Sequence, residues 1–138
     1  MAKRILLVED DKFTRELYEE FLKSSGYELD TAIDGEDGLS KIKIGGYDII
    51  FLDVMMPKMD GLDVLRALKN EPPNVQNGPI VLLTNLTHDP VINMAKDLGV
   101  KDNLVKSDIT PGDLLEYIKK ALGEDTNPFK QEEPPQQN

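Results

Sequence analysis

The chain has 138 residues, about the size of one ordinary domain, which is enough to bury a single core and too few for two substantial ones. Its 26 acidic residues against 16 basic ones give a formal net charge of −10, which repels nucleic acid backbone and anionic lipid; no basic patch offsets it, so neither is expected as a partner. With no cysteine there is no disulfide framework and no thiolate metal site, and the opening apolar stretch Ile5 to Val8 is too short for a signal peptide or a membrane span; a cytoplasmic protein is expected.

Ile5-Leu6-Leu7-Val8 is a continuous apolar run stopped by Glu9-Asp10-Asp11, the pattern of a short strand buried on both faces. Phe13, Leu17 and Phe21 then recur every fourth residue among charged neighbours, which predicts an amphipathic helix ending near Gly26. Tyr27 to Ala32 is a weaker strand, and Asp34-Gly35 caps a second helix carrying Leu39 and Ile42 until Gly45-Gly46 breaks it. Asp48 to Asp53 is the strongest buried strand, again closed by an acid. Beyond Pro57 and Gly61, the residues Leu62, Val64, Leu65 and Leu68 mark a third helix, and the Pro- and Asn-rich stretch from Asn70 to Pro79 is a loop. Ile80 to Leu83 is a fourth strand. Asp89-Pro90 reads as an N-cap with proline at the first helical position, leading into Val91, Met94, Ala95 and Leu98. Leu104-Val105 is a short fifth strand, and Thr110-Pro111-Gly112-Asp113 opens a last helix with Leu114, Leu115, Ile118 and Leu122 on one stripe.

Strands and helices taking turns argue for an α/β fold, a doubly wound five-stranded parallel sheet with helices on both faces, because parallel neighbours need right-handed crossovers. In such a sheet the ligand site lies outside the carboxyl ends of the strands. Asp10 and Asp11 follow the first strand, Asp53 ends the third, Thr84 the fourth and Lys106 the fifth, so all five project to one edge. Like charges about 4 Å apart repel by roughly 4 kcal/mol at an effective dielectric of about 20, so clustered carboxylates call for a divalent cation. The donors are oxygen only, which selects a hard ion, and Mg²⁺ is the expected occupant. A carboxylate held beside such an ion and a lysine ammonium is arranged to receive a phosphoryl group, since the transfer needs positioning and charge neutralisation.

The segments Ile5 to Asp11, Ile49 to Gly61, Leu82-Leu83-Thr84 and Leu104-Val105-Lys106 resemble, in order and spacing over roughly residues 3 to 122, the response-regulator receiver family of two-component signalling. The resemblance implies a flavodoxin-like strand order 2-1-3-4-5. It implies Asp53 as phosphoacceptor, Mg²⁺ held by Asp10 or Asp11 with Asp53 and the backbone carbonyl of Met55, and Thr84 and Lys106 on the phosphoryl group. It also implies a sensor histidine kinase or phosphotransfer protein as donor, a downstream protein as target, and a monomer or weak dimer. At three positions the chain departs from the family. Asn85 stands where a small residue usually follows the threonine, so an altered phosphoryl lifetime is expected. Asn103 stands where the family usually has an aromatic readout residue. Ser107 replaces a proline whose peptide is commonly cis; a non-proline cis bond costs about 3 kcal/mol, so a trans bond is expected.

Other features carry less. Glu9 reads as solvated or as a neighbour standing behind the site, and His88 as an exposed loop residue. Met55, Met56 and Met59 are gap fillers apart from the Met55 carbonyl. No dinucleotide or phosphate-loop glycine pattern occurs. An aspartate-nucleophile phosphohydrolase needs a general acid two residues after Asp53, and Met55 stands there. A degenerate receiver that serves only as an interaction module would lack a site residue, and none is missing. The receiver is expected over residues 1–123. Residues 124–138, rich in proline and glutamine, read as a disordered tail, with a docking peptide or the start of a linker to an output domain as the lesser reading; were the sequence complete, output by protein contact is expected.

Overall fold

Ile5, Leu6, Leu7 and Val8 are each at most 1% exposed, so β1 (Arg4–Val8) is covered on both faces, as its unbroken apolar run implies. The structure is a computed structural model and describes residues 2–124. After β1 come α1 (Lys12–Ser24), β2 (Glu28–Ala32), α2 (Gly35–Ile44), β3 (Ile49–Leu52), α3 (Gly61–Asn70), β4 (Ile80–Thr84), α4 (Asp89–Asp97), β5 (Asp102–Val105), a 3-10 turn (Lys106–Asp108) and α5 (Pro111–Ala121). All strand pairs are parallel, and the five-stranded sheet has the order β2-β1-β3-β4-β5. Neither of the expectations about alternation and strand order needs correction.

Alternation along the strands sorts the core into two layers. Leu6, Val8, Ile50, Leu52 and Leu82 face Ile42 of α2, Val64 and Leu65 of α3 and Ala95 of α4. Ile5, Leu7, Phe51, Val81 and Leu83 face Tyr18 and Leu22 of α1 and Leu114 and Ile118 of α5. Because the chain leaves β1 for β2 at one side and returns to β3 at the other, the loops beyond Val8 and Leu52 diverge and leave a crevice between them.

Several local expectations shift. The buried stripe of α1 is Tyr18 and Leu22, while Phe13 and Leu17 are 75% and 44% exposed; an apolar set at 13, 17, 18, 21 and 22 is wider than one face, and the sheet takes its far edge. The N-cap of α4 is His88, one residue earlier than expected, without a side-chain capping bond. β5 starts two residues earlier than Leu104, and the 3-10 turn after it carried no sequence signal. The loop expected from Asn70 begins one residue later, because Asn70 ends α3, and it is pinned by Asn77, whose amide accepts from the Tyr47 N–H and donates to the Ile42 carbonyl. The tail expected from residue 124 lies outside the described residues except for Glu124, whose carboxylate accepts from the Tyr27 hydroxyl at 2.8 Å. Among the described residues no helix is long and apolar enough to cross a membrane.

Candidate functional site

The ladder between β1 and β3 pairs Val8 with Leu52, so the first residue past each strand, Glu9 and Asp53, stand side by side. The Glu9 N–H donates to the Ala32 carbonyl and the Asp53 N–H to the Val8 carbonyl, which holds both backbones in line with the sheet. Both residues are buried, at 1% and 3% exposure. The β3–α3 loop closes over Asp53 because Gly61 lets α3 start against it; a Cβ at Gly61 would lie 2.6 Å from the Asp53 carbonyl oxygen.

Lys106, the first residue past β5, reaches back across the sheet edge. Its ammonium donates to Glu9 Oε1 and to Asp53 Oδ2, each at 2.8 Å. Asp53 Oδ1 accepts from the Met55 N–H at 3.2 Å, which places the Met55 peptide beside the carboxylate. Glu9 Oε2 accepts from the Asp11 N–H. Burial pushes the Glu9 carboxyl above its ordinary value, and the hydrogen bond from Lys106 opposes this without reversing it. Burial alone would depress the Lys106 ammonium, but its bonds to Asp53 and Glu9 outweigh that and hold it above its ordinary value. Thr84, at the end of β4, is fully buried; its hydroxyl oxygen accepts from the Leu86 N–H at 3.2 Å and keeps its own hydrogen to donate.

Glu9, Asp10 and Asp53 each offer one carboxylate oxygen within 4.8 Å of the others. The three carboxylates carry more negative charge than the one ammonium that bridges Glu9 and Asp53, and the donor set is all oxygen, so the cluster fits a hard divalent cation. Asp11, expected near this set, does other work. It is the N-cap of α1 and its carboxylate accepts from both the N–H and the hydroxyl of Thr14, which holds it below the usual carboxylate range. The cluster does not contain Asp11; it contains Glu9, which sequence reasoning left behind the site. The signal that finds it is register: the apolar runs of β1 and β3 end at Val8 and Leu52, and the next acid on each strand is Glu9 or Asp53. His88 is exposed and lies outside the cluster.

Residues 5–119 match the response regulator receiver domain family. The chain belongs to that family. It is 36% identical over 106 residues to the chemotaxis protein CheY of Treponema pallidum, covering 75% of this chain and 72% of that protein. It is 40% identical over 105 residues to the transcriptional regulatory protein DltR of Streptococcus agalactiae, covering 75% of this chain but only 45% of the relative, so the chain spans under half the length of that regulator. The CheY-like receiver domain from Methanospirillum hungatei superposes with a TM-score of 0.78 at 28% identity, over 89% of this chain and 95% of that one. Receiver domains are signalling modules of two-component response regulators, and phosphorylation and Mg²⁺ binding are general features of the family.

Each of the three departures from the receiver pattern has a visible setting. The Asn85 side-chain oxygen accepts from the Ser107 N–H at 2.8 Å, a bond that a proline at 107 has no hydrogen to make. The Lys106–Ser107 peptide is trans, as no cis bond occurs among the described residues. The amide oxygen of Asn103 is buried without a hydrogen-bond partner, next in register to Leu82 on β4.

Proposed function

We propose that Asp53 accepts a phosphoryl group from a phosphohistidine on a histidine kinase or phosphotransfer protein, and that the phosphorylated receiver signals by protein contact. The observation that supports this most directly is the Lys106 ammonium 2.8 Å from Asp53 Oδ2 inside a buried acidic cluster. An Asp53 carboxylate oxygen forms the O–P bond as the P–N bond to the donor imidazole breaks; the electron pair stays on that nitrogen, which takes up a proton. Lys106 offsets the charge gathering on the phosphoryl oxygens, and the Thr84 hydroxyl donates to one of them. Glu9, Asp10 and Asp53, with the Met55 carbonyl, hold Mg²⁺, which when bound supplies further neutralisation of the transferred group. Phe13 and Leu17 lie exposed on α1, and Leu17 lines the same cleft as Lys106, a surface suited to docking the donor protein beside the acceptor.

A phosphohydrolase reading is disfavoured by Met55, whose thioether cannot protonate a leaving group. Incubation with Mg²⁺ and a small phosphoramidate or acyl phosphate, followed by intact mass, is expected to show one labile phosphoryl adduct that Asp53→Asn abolishes. An adduct that survives in Asp53→Asn, or steady turnover of phosphate esters, would overturn the assignment.

A further inference from the structure

The ladder between β4 and β5 ends with Thr84 opposite Val105, one residue short of Lys106. Past that point the two chain segments are joined again by Asn85, whose side-chain oxygen accepts from the Ser107 N–H at 2.8 Å across 22 positions of sequence. The partners are the immediate successors of Thr84 and Lys106. β5 is an edge strand whose residues are all only half-buried, and it pairs with β4 alone, so little else of the sheet steadies the backbone from which Lys106 extends. Within the 3-10 turn itself the bond from the Ile109 N–H to the Lys106 carbonyl is long, at 3.4 Å. A lysine head on a flexible four-carbon stem keeps two contacts of 2.8 Å only if its backbone is held.

The geometry points to Asn85 as a positioning residue: its side chain clamps the turn after Thr84 to the turn after Lys106, and so holds the ammonium against Asp53 for phosphoryl uptake. The inference rests on the phosphoacceptor reading of Asp53 and adds to it a residue specific to this chain. Asn85 and Ser107 act as one device, since the acceptor on one serves the donor on the other. The acidic trio lies just past the ends of β1 and β3, away from the β4 and β5 ends that the clamp joins.

The test measures the rate of phosphoryl uptake from a small phosphoramidate across a Mg²⁺ titration for wild type, Asn85→Ala, Ser107→Pro and the double variant. Each single change is expected to lower the maximal rate about three- to tenfold, the worth of one hydrogen bond, while the Mg²⁺ concentration for half-maximal rate stays at the wild-type value. The double variant is expected to be no slower than the slower single one, because both remove the same bond. Multiplying effects, unchanged rates, or a shift in Mg²⁺ demand would overturn the clamp. Hydrogen exchange of the Ser107 amide gives a second reading if Ser107→Pro fails to fold: Asn85→Ala is expected to speed it, and unchanged exchange would overturn the inference. Absence of an adduct on wild type would overturn the Asp53 reading and the clamp together, whereas an adduct with multiplying effects removes the clamp alone.

Discussion

Glu9 and Asp53 share one ammonium in a place that water scarcely reaches, their side chains being 1% and 4% exposed. Attraction at this depth does not make the trio a stabilising element by itself, because desolvation of both carboxylates opposes it. What the geometry does determine is the cost of taking one partner away. Lys106→Ala leaves two buried carboxylates facing each other, and is expected to lower stability by about 3 kcal/mol in cation-free buffer. Millimolar Mg²⁺ should return part of that loss, since a bound cation offsets the same charge. Urea unfolding with and without Mg²⁺ measures both; an equal loss in the two buffers would show that cation and lysine do not share these carboxylates. At this scale Asp53, Thr84 and Lys106 were legible because each closes an apolar run. Glu9 was not, since nothing local distinguishes it from Asp10 and Asp11. Only the pairing of β1 with β3 decides which of the three acids turns inward.

Helix ends were legible at Asp34 and Thr110, but the caps at Asp11 and Asp60 were not read and that of α4 lies one residue before Asp89. Asp34, Asp60 and Thr110 each cap a helix through the third residue on, and two of these are full capping boxes closed by Asp63 and Asp113. Such caps depend on neighbours three residues away, which sequence displays directly. The face of α1 depends on which of five apolar residues meets the sheet, and tertiary packing chose Tyr18 and Leu22. The same helix carries the prediction that belongs here. Asp11→Ala removes the bonds to Thr14 and is expected to lower the thermal midpoint and loosen the first-turn amides of α1, while Mg²⁺ affinity stays near wild type. Asp10→Ala is expected to abolish that affinity. Calorimetric titration distinguishes the two, and a loss of Mg²⁺ binding in Asp11→Ala equal to that in Asp10→Ala would return Asp11 to the ligand set.

Across the molecule, three tyrosines fasten distant elements to carboxylates. Tyr27 bonds Glu124 beyond α5, Tyr47 bonds Asp30 in β2, and Tyr117 of α5 bonds Asp102 in β5. Burial first, and the adjoining carboxylate second, push all three phenols up from 10.0, that of Tyr47 to about 12. A group whose folded value is raised contributes stability that is whole below the unfolded value and lost as pH climbs through the folded one. Stability should therefore decline between pH 10 and about 12, and Tyr47→Phe should flatten part of that decline. Urea midpoints taken across this range would read it, and an unaltered slope in Tyr47→Phe would exclude Tyr47 as a contributor. The overall architecture was legible because βα alternation constrains topology strongly; the anchors were not, since each joins residues that only the finished fold brings together.

The offset that sets Val8 against Leu52 has one more consequence. Sliding β1 along β3 by a single step would turn Glu9 to the opposite face and leave Lys106 with one carboxylate to grip. The charged groups therefore meet only in the native register, and the pairing that aligns the two strands is the same one that brings the site together.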